Sequence, residues 1–259
     1  MGLFDFFKRE EPVAKADRLV IDDEDDEVVD DLELEDEVLP DKEAPADRET
    51  AGPFDDGEEA GDGPFVDLGS LRVPARQGLA LRLEMEDATK RVIAVALDLA
   101  GSTLQVQAFA APRGSGLWAD VRGQLAEQIA KQQGTAEERE NALGTALSTA
   151  VPIVAGGAPE RKVEFIGVDG PRWFLRGVIT GAATIDDGKY DELVDLFRGI
   201  VVVRGGKPVP PRDLLPLEMP KAMAEQLAAA REAQARAAAE KAARVQREQQ
   251  AKQEGGASA

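Results

Sequence analysis

The chain has 259 residues, with 50 Asp and Glu against 31 Lys and Arg, and neither cysteine nor histidine. Disulfides, thiol nucleophiles, Ser-His-Asp triads, the usual zinc sites and imidazole acid–base chemistry are thereby excluded. The net charge of −19 lies wholly in residues 1–62, where 25 acidic side chains face 6 basic ones, while residues 63–259 carry 25 of each; the chain as a whole is a poor phosphate ligand, and a local basic patch is left only to its neutral part.

The chain opens with Met1-Gly2-Leu3-Phe4-Asp5-Phe6-Phe7-Lys8-Arg9, too short an apolar stretch for a secretory leader, and no run reaches the roughly 18 to 20 apolar residues needed to span a bilayer. A cytoplasmic protein without a transmembrane segment is expected. The run Asp22-Asp23-Glu24-Asp25-Asp26-Glu27 and the cluster Glu33 to Glu37 repel one another and carry little apolar surface. Residues 1–62 therefore read as an acidic disordered arm; the alternative is a mimic of nucleic-acid charge that docks on a basic partner or on the protein's own domain.

A globular domain is expected over residues 63–220, from the change of composition at Gly63-Pro64-Phe65 to the proline cluster Pro208 to Pro220. In Leu79 to Met85, Leu79, Leu81, Leu83 and Met85 alternate with polar or small residues, the period of a half-exposed strand. Arg91 to Leu99 and Thr103 to Ala110 are two further strands, joined by a tight turn at Ala100-Gly101-Ser102. Leu117, Val121, Leu125 and Ile129 recur four residues apart and predict an amphipathic helix that Gly134 stops. A strand follows over Thr145 to Val154, interrupted at Pro152. Val163 to Val168 and Trp173 to Thr180 flank Asp169-Gly170-Pro171-Arg172 as a hairpin, Asp187 to Arg198 is helical, and Ile200 to Val203 is a last short strand. The order predicts an α+β fold: an antiparallel sheet of about six to seven strands with two main helices packed on one face. Residues 221–259, rich in Ala, Glu, Lys and Gln, predict a polar, coiled-coil-like C-terminal helix without a heptad seam, and a flexible tail.

No arrangement reaches a catalytic, cofactor-binding or metal-binding signature. The acidic arm lacks the spacing of a calcium loop. Glu84, Glu86 and Asp87 form a solvated strand end rather than an acid–base pair. Arg113-Gly114-Ser115-Gly116 precedes a helix without the Walker or dinucleotide pattern, and reads as a capping loop. The remaining candidates are Arg172, Trp173 and Arg176 on the hairpin, with Arg204 and Arg212 near the domain's end. Arg and Trp are the types enriched at binding hot spots and able to stack a base or grip a phosphate; the alternative is a buried Trp with arginine stems packed around it.

Four runs carry a resemblance: Val66-Asp67-Leu68-Gly69-Ser70-Leu71-Arg72-Val73-Pro74; Leu104-Gln105-Val106-Gln107-Ala108-Phe109-Ala110-Ala111-Pro112-Arg113; Gly167-Val168-Asp169-Gly170-Pro171-Arg172-Trp173-Phe174-Leu175-Arg176-Gly177-Val178; and Pro210-Pro211-Arg212-Asp213-Leu214-Leu215-Pro216-Leu217. Together they resemble an actinobacterial family of uncharacterised proteins with a single domain of unknown function. The resemblance implies a charged variable arm and supplies no catalytic residues to carry over. The element order is compatible with Mog1/PsbP-like or secretion-chaperone-like folds, an analogy of fold alone. The expected function is a non-enzymatic protein-binding or adaptor protein with a regulatory acidic arm. A nucleic-acid- or nucleotide-linked regulator using the Arg/Trp surface is the alternative, followed by an enzyme dependent on carboxylates, Lys or Arg.

Overall fold

The computed structural model describes residues 40–220, apart from 87, 90, 155 and 156, and seven helical positions between 223 and 236; at 153, 154 and 157–159 it describes backbone alone. Most of the expected acidic arm and most of the expected C-terminal helix lie outside these residues.

Seven strands form one antiparallel sheet: β4 (Ala80–Met85), β5 (Val92–Leu99), β6 (Ser102–Ala110), β7 (Thr135–Asn141), β8 (Gly144–Val154), β9 (Gly157–Asp169) and β10 (Trp173–Gly181). Their order across the sheet is β4-β5-β6-β10-β9-β8-β7. β5 and β6 are joined by Ala100 and Gly101, both at positive φ, the two-residue turn whose twist matches the strands it links. A smaller sheet of order β1-β11-β3-β2 joins β1 (Phe54–Asp55), β2 (Phe65–Asp67), β3 (Leu71–Pro74) and β11 (Val201–Val202). The helices are α1 (Arg48–Ala51), α2 (Trp118–Lys131) and α3 (Asp187–Arg198), the last preceded by a short 3-10 turn at Ala182–Thr184. The α+β class, the antiparallel sheet and the two main helices are as expected.

The two main helices pack on opposite faces of the large sheet rather than on one. The reason lies in β9 and β10, whose side chains are apolar at both parities. Leu175, Ile179, Ile166 and Val168 point to a core shared with Leu193, Val194 and Phe197 of α3 and with Leu71, Val73 and Val202 of the small sheet. Phe174 and Phe165 point the other way; the Phe174 ring stacks on Trp118 of α2 at 5.9 Å and on Phe109 at 5.7 Å. A strand covered on both sides loses the alternation that marks a half-exposed one. Trp118 reaches its seat because Gly167 has no side chain: a Cβ there would lie 2.4 Å from the indole. Trp118, Trp173, Phe165, Phe174 and Phe197 are fully buried, each contributing roughly 1.5–3 kcal/mol through apolar burial.

The packed unit begins before residue 63. The Arg48 guanidinium is buried and donates to both Glu58 carboxylate oxygens at 2.9 and 2.7 Å, Phe54 is buried, and β1 pairs in parallel with β11. Part of the acidity of this stretch is paired locally, Glu58 with Arg48 and Asp56 with Arg72, so net charge alone places the boundary too late. Two further differences concern the sheet. Thr135–Asn141, for which composition gives no strand signal, is the edge strand β7, and its exposed charges suit an edge. Pro152 lies within β8, which continues to Val154 past an irregularity in register after Pro152, and β9 starts at Gly157 rather than Val163.

Candidate functional site

The five Arg and Trp candidates do not form one surface. Trp173 is fully buried in the core, and its indole N–H donates to Asp55 Oδ1 at 2.8 Å. Arg176, three residues along the same strand, projects from the opposite face; it is 6% exposed, donates to the Gln107 side-chain oxygen and lies 5.7 Å from the Phe109 ring centre. Burial holds its guanidinium down to about 10. Arg204 donates to the carbonyls of Lys207 and Val209 and shapes its own loop. Arg212 and Arg172 do come close in the backbone: Arg212 N–H donates to Ala110 O, and Ala111 N–H to Arg172 O. The Arg212 side chain pairs with Asp120 of α2 at 2.7 Å, while Arg172 is exposed.

The residue that organises this end of the sheet is Asp169, which sequence reasoning treated only as part of a turn. Its buried carboxylate accepts from the backbone N–H groups of Leu117, Trp118 and Glu43 at 2.8, 3.3 and 3.1 Å. It therefore supplies the cap that Leu117, at the N-terminus of α2, cannot provide from its own side chain. The place an anion would take at that helix end is already filled, by a carboxylate from β9. Burial raises the Asp169 pKa, the three N–H bonds oppose the rise, and the neighbouring Glu43 adds to it. Residues 40–43 are fastened over the same turn: Gly116 N–H donates to Pro40 O, Lys42 Nζ donates to Gly170 O and Pro171 O, and Arg122 holds Glu43 in a bidentate pair.

A second polar group sits between α3 and the other end of β9. Glu164, its side chain 4% exposed, lies 3.9 Å from Arg139, which also reaches Asp187 and stands over the Tyr190 ring. The Tyr190 hydroxyl accepts from Asn141 Nδ2 at 2.6 Å; burial and the adjacent Glu164 raise its pKa. These contacts tie edge strand β7 to α3. Near the small sheet, an open concavity of about 750 Å³ is lined by Asp56, Glu58, Glu59, Asp62, Phe65 and Arg72, among others. Among the described residues no group of three or more Asp or Glu is placed to hold a metal ion, and no helix is long and apolar enough to cross a membrane.

The far end of the β8–β9 hairpin outruns its neighbours in the sheet. β10 pairs with β9 only as far as Glu164, and β7 with β8 only as far as Ala150, yet the β8–β9 ladder continues to Val154 and Gly157. Past Ala150 and Lys162 the two strands thus run on with only each other for ~15 Å at about 3.4 Å per residue. Glu160, Arg161 and Lys162 on this arm are exposed. Just after the 3-10 turn, which contacts β9, Ile185 is 78% exposed, against 40% for Met85, the other exposed large hydrophobic among the described residues.

A seven-stranded antiparallel sheet between two helices, with a smaller sheet on the α3 side, defines an α+β protein whose four signature runs meet in space. β6 abuts the β9–β10 turn through Ala111 and Arg172, the segment after Pro210 pairs with Phe109 through Leu214, and its Leu217 reaches Gly69. The chain belongs to the family described as proteins of unknown function (DUF3710), which matches residues 52–226. No curated protein matches the chain. The solution structure of cyanobacterial PsbP (CyanoP) from Synechocystis sp. PCC 6803 aligns with 58% of this chain and 99% of that one, at 12% identity and a TM-score of 0.37.

Proposed function

We propose that this chain is a non-enzymatic protein-binding module of the adaptor kind, acting in an actinobacterial cytoplasm, and that its acidic N-terminal segment regulates the partner's access. The observation that carries the reading is the β8–β9 arm: a pair of strands that runs on beyond its neighbours in the sheet and displays charge on its exposed residues, with the exposed Ile185 following the 3-10 turn that contacts β9. Exposed, unpaired strand edges are where extended partners add. The polar groups elsewhere support the same reading by being engaged in structure: Asp169 caps α2, Arg48 neutralises Glu58, and Arg212 joins the Pro210 segment to α2.

Residues 1–39 hold 16 acidic and 4 basic side chains. Charge of that density repels an acidic partner and attracts a basic one, over about a Debye length of 8 Å at physiological salt. The test is affinity capture from the native host with the full chain and with a chain starting at Pro40, which preserves every described contact of residues 40–62. One defined protein recovered with both forms, in an amount changed by removal of the acidic segment, is the expected result. Recovery of nothing above background with either form contradicts the reading, and nuclease-sensitive nucleic acid on the shortened chain would favour a nucleic-acid regulator instead.

A further inference from the structure

Resting on the protein-binding reading, we infer that the free edge of β9 between Gly157 and Val163 is the docking site, and that it takes an extended acidic segment of a partner protein carrying one apolar side chain for Ile185. The pairing register fixes the geometry. β10 stays beside β6 up to Gly181 and Ser102, but its last pair with β9 is Ile179 with Glu164. Beyond Glu164 no strand among the described residues pairs with this edge of β9, and on it Glu160, Arg161 and Lys162 are exposed. A strand laid in the lane beside that edge extends an existing ladder and needs no rearrangement of the sheet.

The chemistry of the lane selects its occupant. Side chains alternate across a strand, so Lys162 shares the α3 side with Glu164 while Arg161 shares the α2 side with Val163 and Phe165. A partner strand therefore meets one cation on each face of the arm, against the single carboxylate of Glu160. Directly opposed unlike charges stabilise a strand pair and like charges oppose it, which favours Asp or Glu in the incoming segment. Pro159 removes a backbone donor from the arm, and charge and proline are the usual guards against indiscriminate edge pairing. The arm is thus closed to generic apolar strands and open to one with complementary charge. Ile185 follows the 3-10 turn that packs on β9 and is exposed, so it is the apolar side chain we assign to the end of the docking edge.

The acidic segment of residues 1–39 has a defined sign of effect on such a partner: like charge lowers the partner's local concentration, so removal of the segment strengthens binding. A basic partner would show the opposite response.

The probe is a fluorescein-labelled peptide of alternating Leu and Glu, with an alternating Leu and Lys peptide as its counterpart, titrated by anisotropy against the full chain. The Leu-Glu peptide is expected to bind tighter. R161E/K162E is expected to weaken it at least tenfold, R161Q/K162Q by less, and I185D about tenfold, with circular dichroism spectra unchanged. Equal affinity of wild type and variants, preference for the Leu-Lys peptide, or no binding of either peptide overturns the assignment. So does a concentration-dependent dimer in sedimentation that R161E/K162E abolishes, because a second copy would then fill the lane. The same variants in the host capture separate the two claims: a partner retained by R161E/K162E removes the docking site and leaves the binding reading intact, whereas no partner with wild type removes the reading itself.

Discussion

β9 is built differently at its two ends. At Asp169 the buried polar groups are engaged: the carboxylate caps α2 and holds residue 43, Lys42 covers the turn carbonyls, and the Trp173 indole fills the space beside Gly170. At Glu160 to Lys162 the strand pairs with one neighbour instead of two among the described residues, and its charged side chains are exposed. The same strand therefore serves as scaffold at one end and as exposed surface at the other. Burial and satisfied hydrogen bonds mark architecture, while unpaired backbone and exposed apolar area mark a place where something else can attach.

Substitutions sharpen that contrast. Asp169→Ala leaves three backbone donors without their acceptor and is expected to cost about 3 kcal/mol or more, read as a lower urea midpoint with unchanged slope. Arg48→Ala strands Glu58 in a partly buried site and should cost about 2–3 kcal/mol, which also tests whether residues 40–62 belong to the packed unit. Gly170→Ala places a Cβ 2.2 Å from the Trp173 ring and is expected to cost about 1–3 kcal/mol. The charge reversal R161E/K162E should move stability by no more than about 0.5 kcal/mol. If the arm variants destabilised the protein as much as Asp169→Ala, the distinction between the two ends would fail.

Acid titration adds a test by sign. Burial raises the Asp169 pKa, so the folded state holds its proton more tightly than the unfolded chain does. That contribution to stability is full below the ordinary carboxylate pKa and is lost as pH rises through the raised value. Glu58 behaves oppositely: burial pushes its pKa up, but Arg48 and the Asp55 N–H outweigh it and leave it lowered. Its contribution is present above the ordinary carboxylate value and is lost as pH falls through the lowered one. The urea midpoint of D169N relative to wild type should therefore change across the range just above the usual carboxylate pKa, and that of E58Q across the range just below it.

Much of the large sheet was legible because β4, β5, β6 and β10 carry strong apolar patterns and Ala100-Gly101 is a recognisable turn. The opposed placement of α2 and α3 was legible in principle. Both parities of Trp173 to Thr180 are apolar, which means cover on two faces, and residues 173 and 176 must then point apart. Treating Trp173 and Arg176 as one surface overlooked that period of two. β7 offered no signal because an exposed edge strand needs no apolar face. The region 40–62 was masked by its charge: Arg48 and Phe54 are two buried residues in an acidic stretch, and their partners Glu58 and Val201 become apparent only in three dimensions. Glu164, set among Val163, Phe165 and Ile166, was a sequence mark of a buried polar group, but its contacts with Arg139 and Tyr190 depend on elements distant in the chain.

The most direct test is amide hydrogen exchange on the full chain, comparing peptides that cover residues 157–163 with those that cover 164–169. Faster exchange in 157–163 in the free protein, slowed when the Leu-Glu peptide is added, is the predicted outcome. Protection of 157–163 equal to that of 164–169 in the free protein would mean that the lane beside β9 is already filled, and would contradict the account.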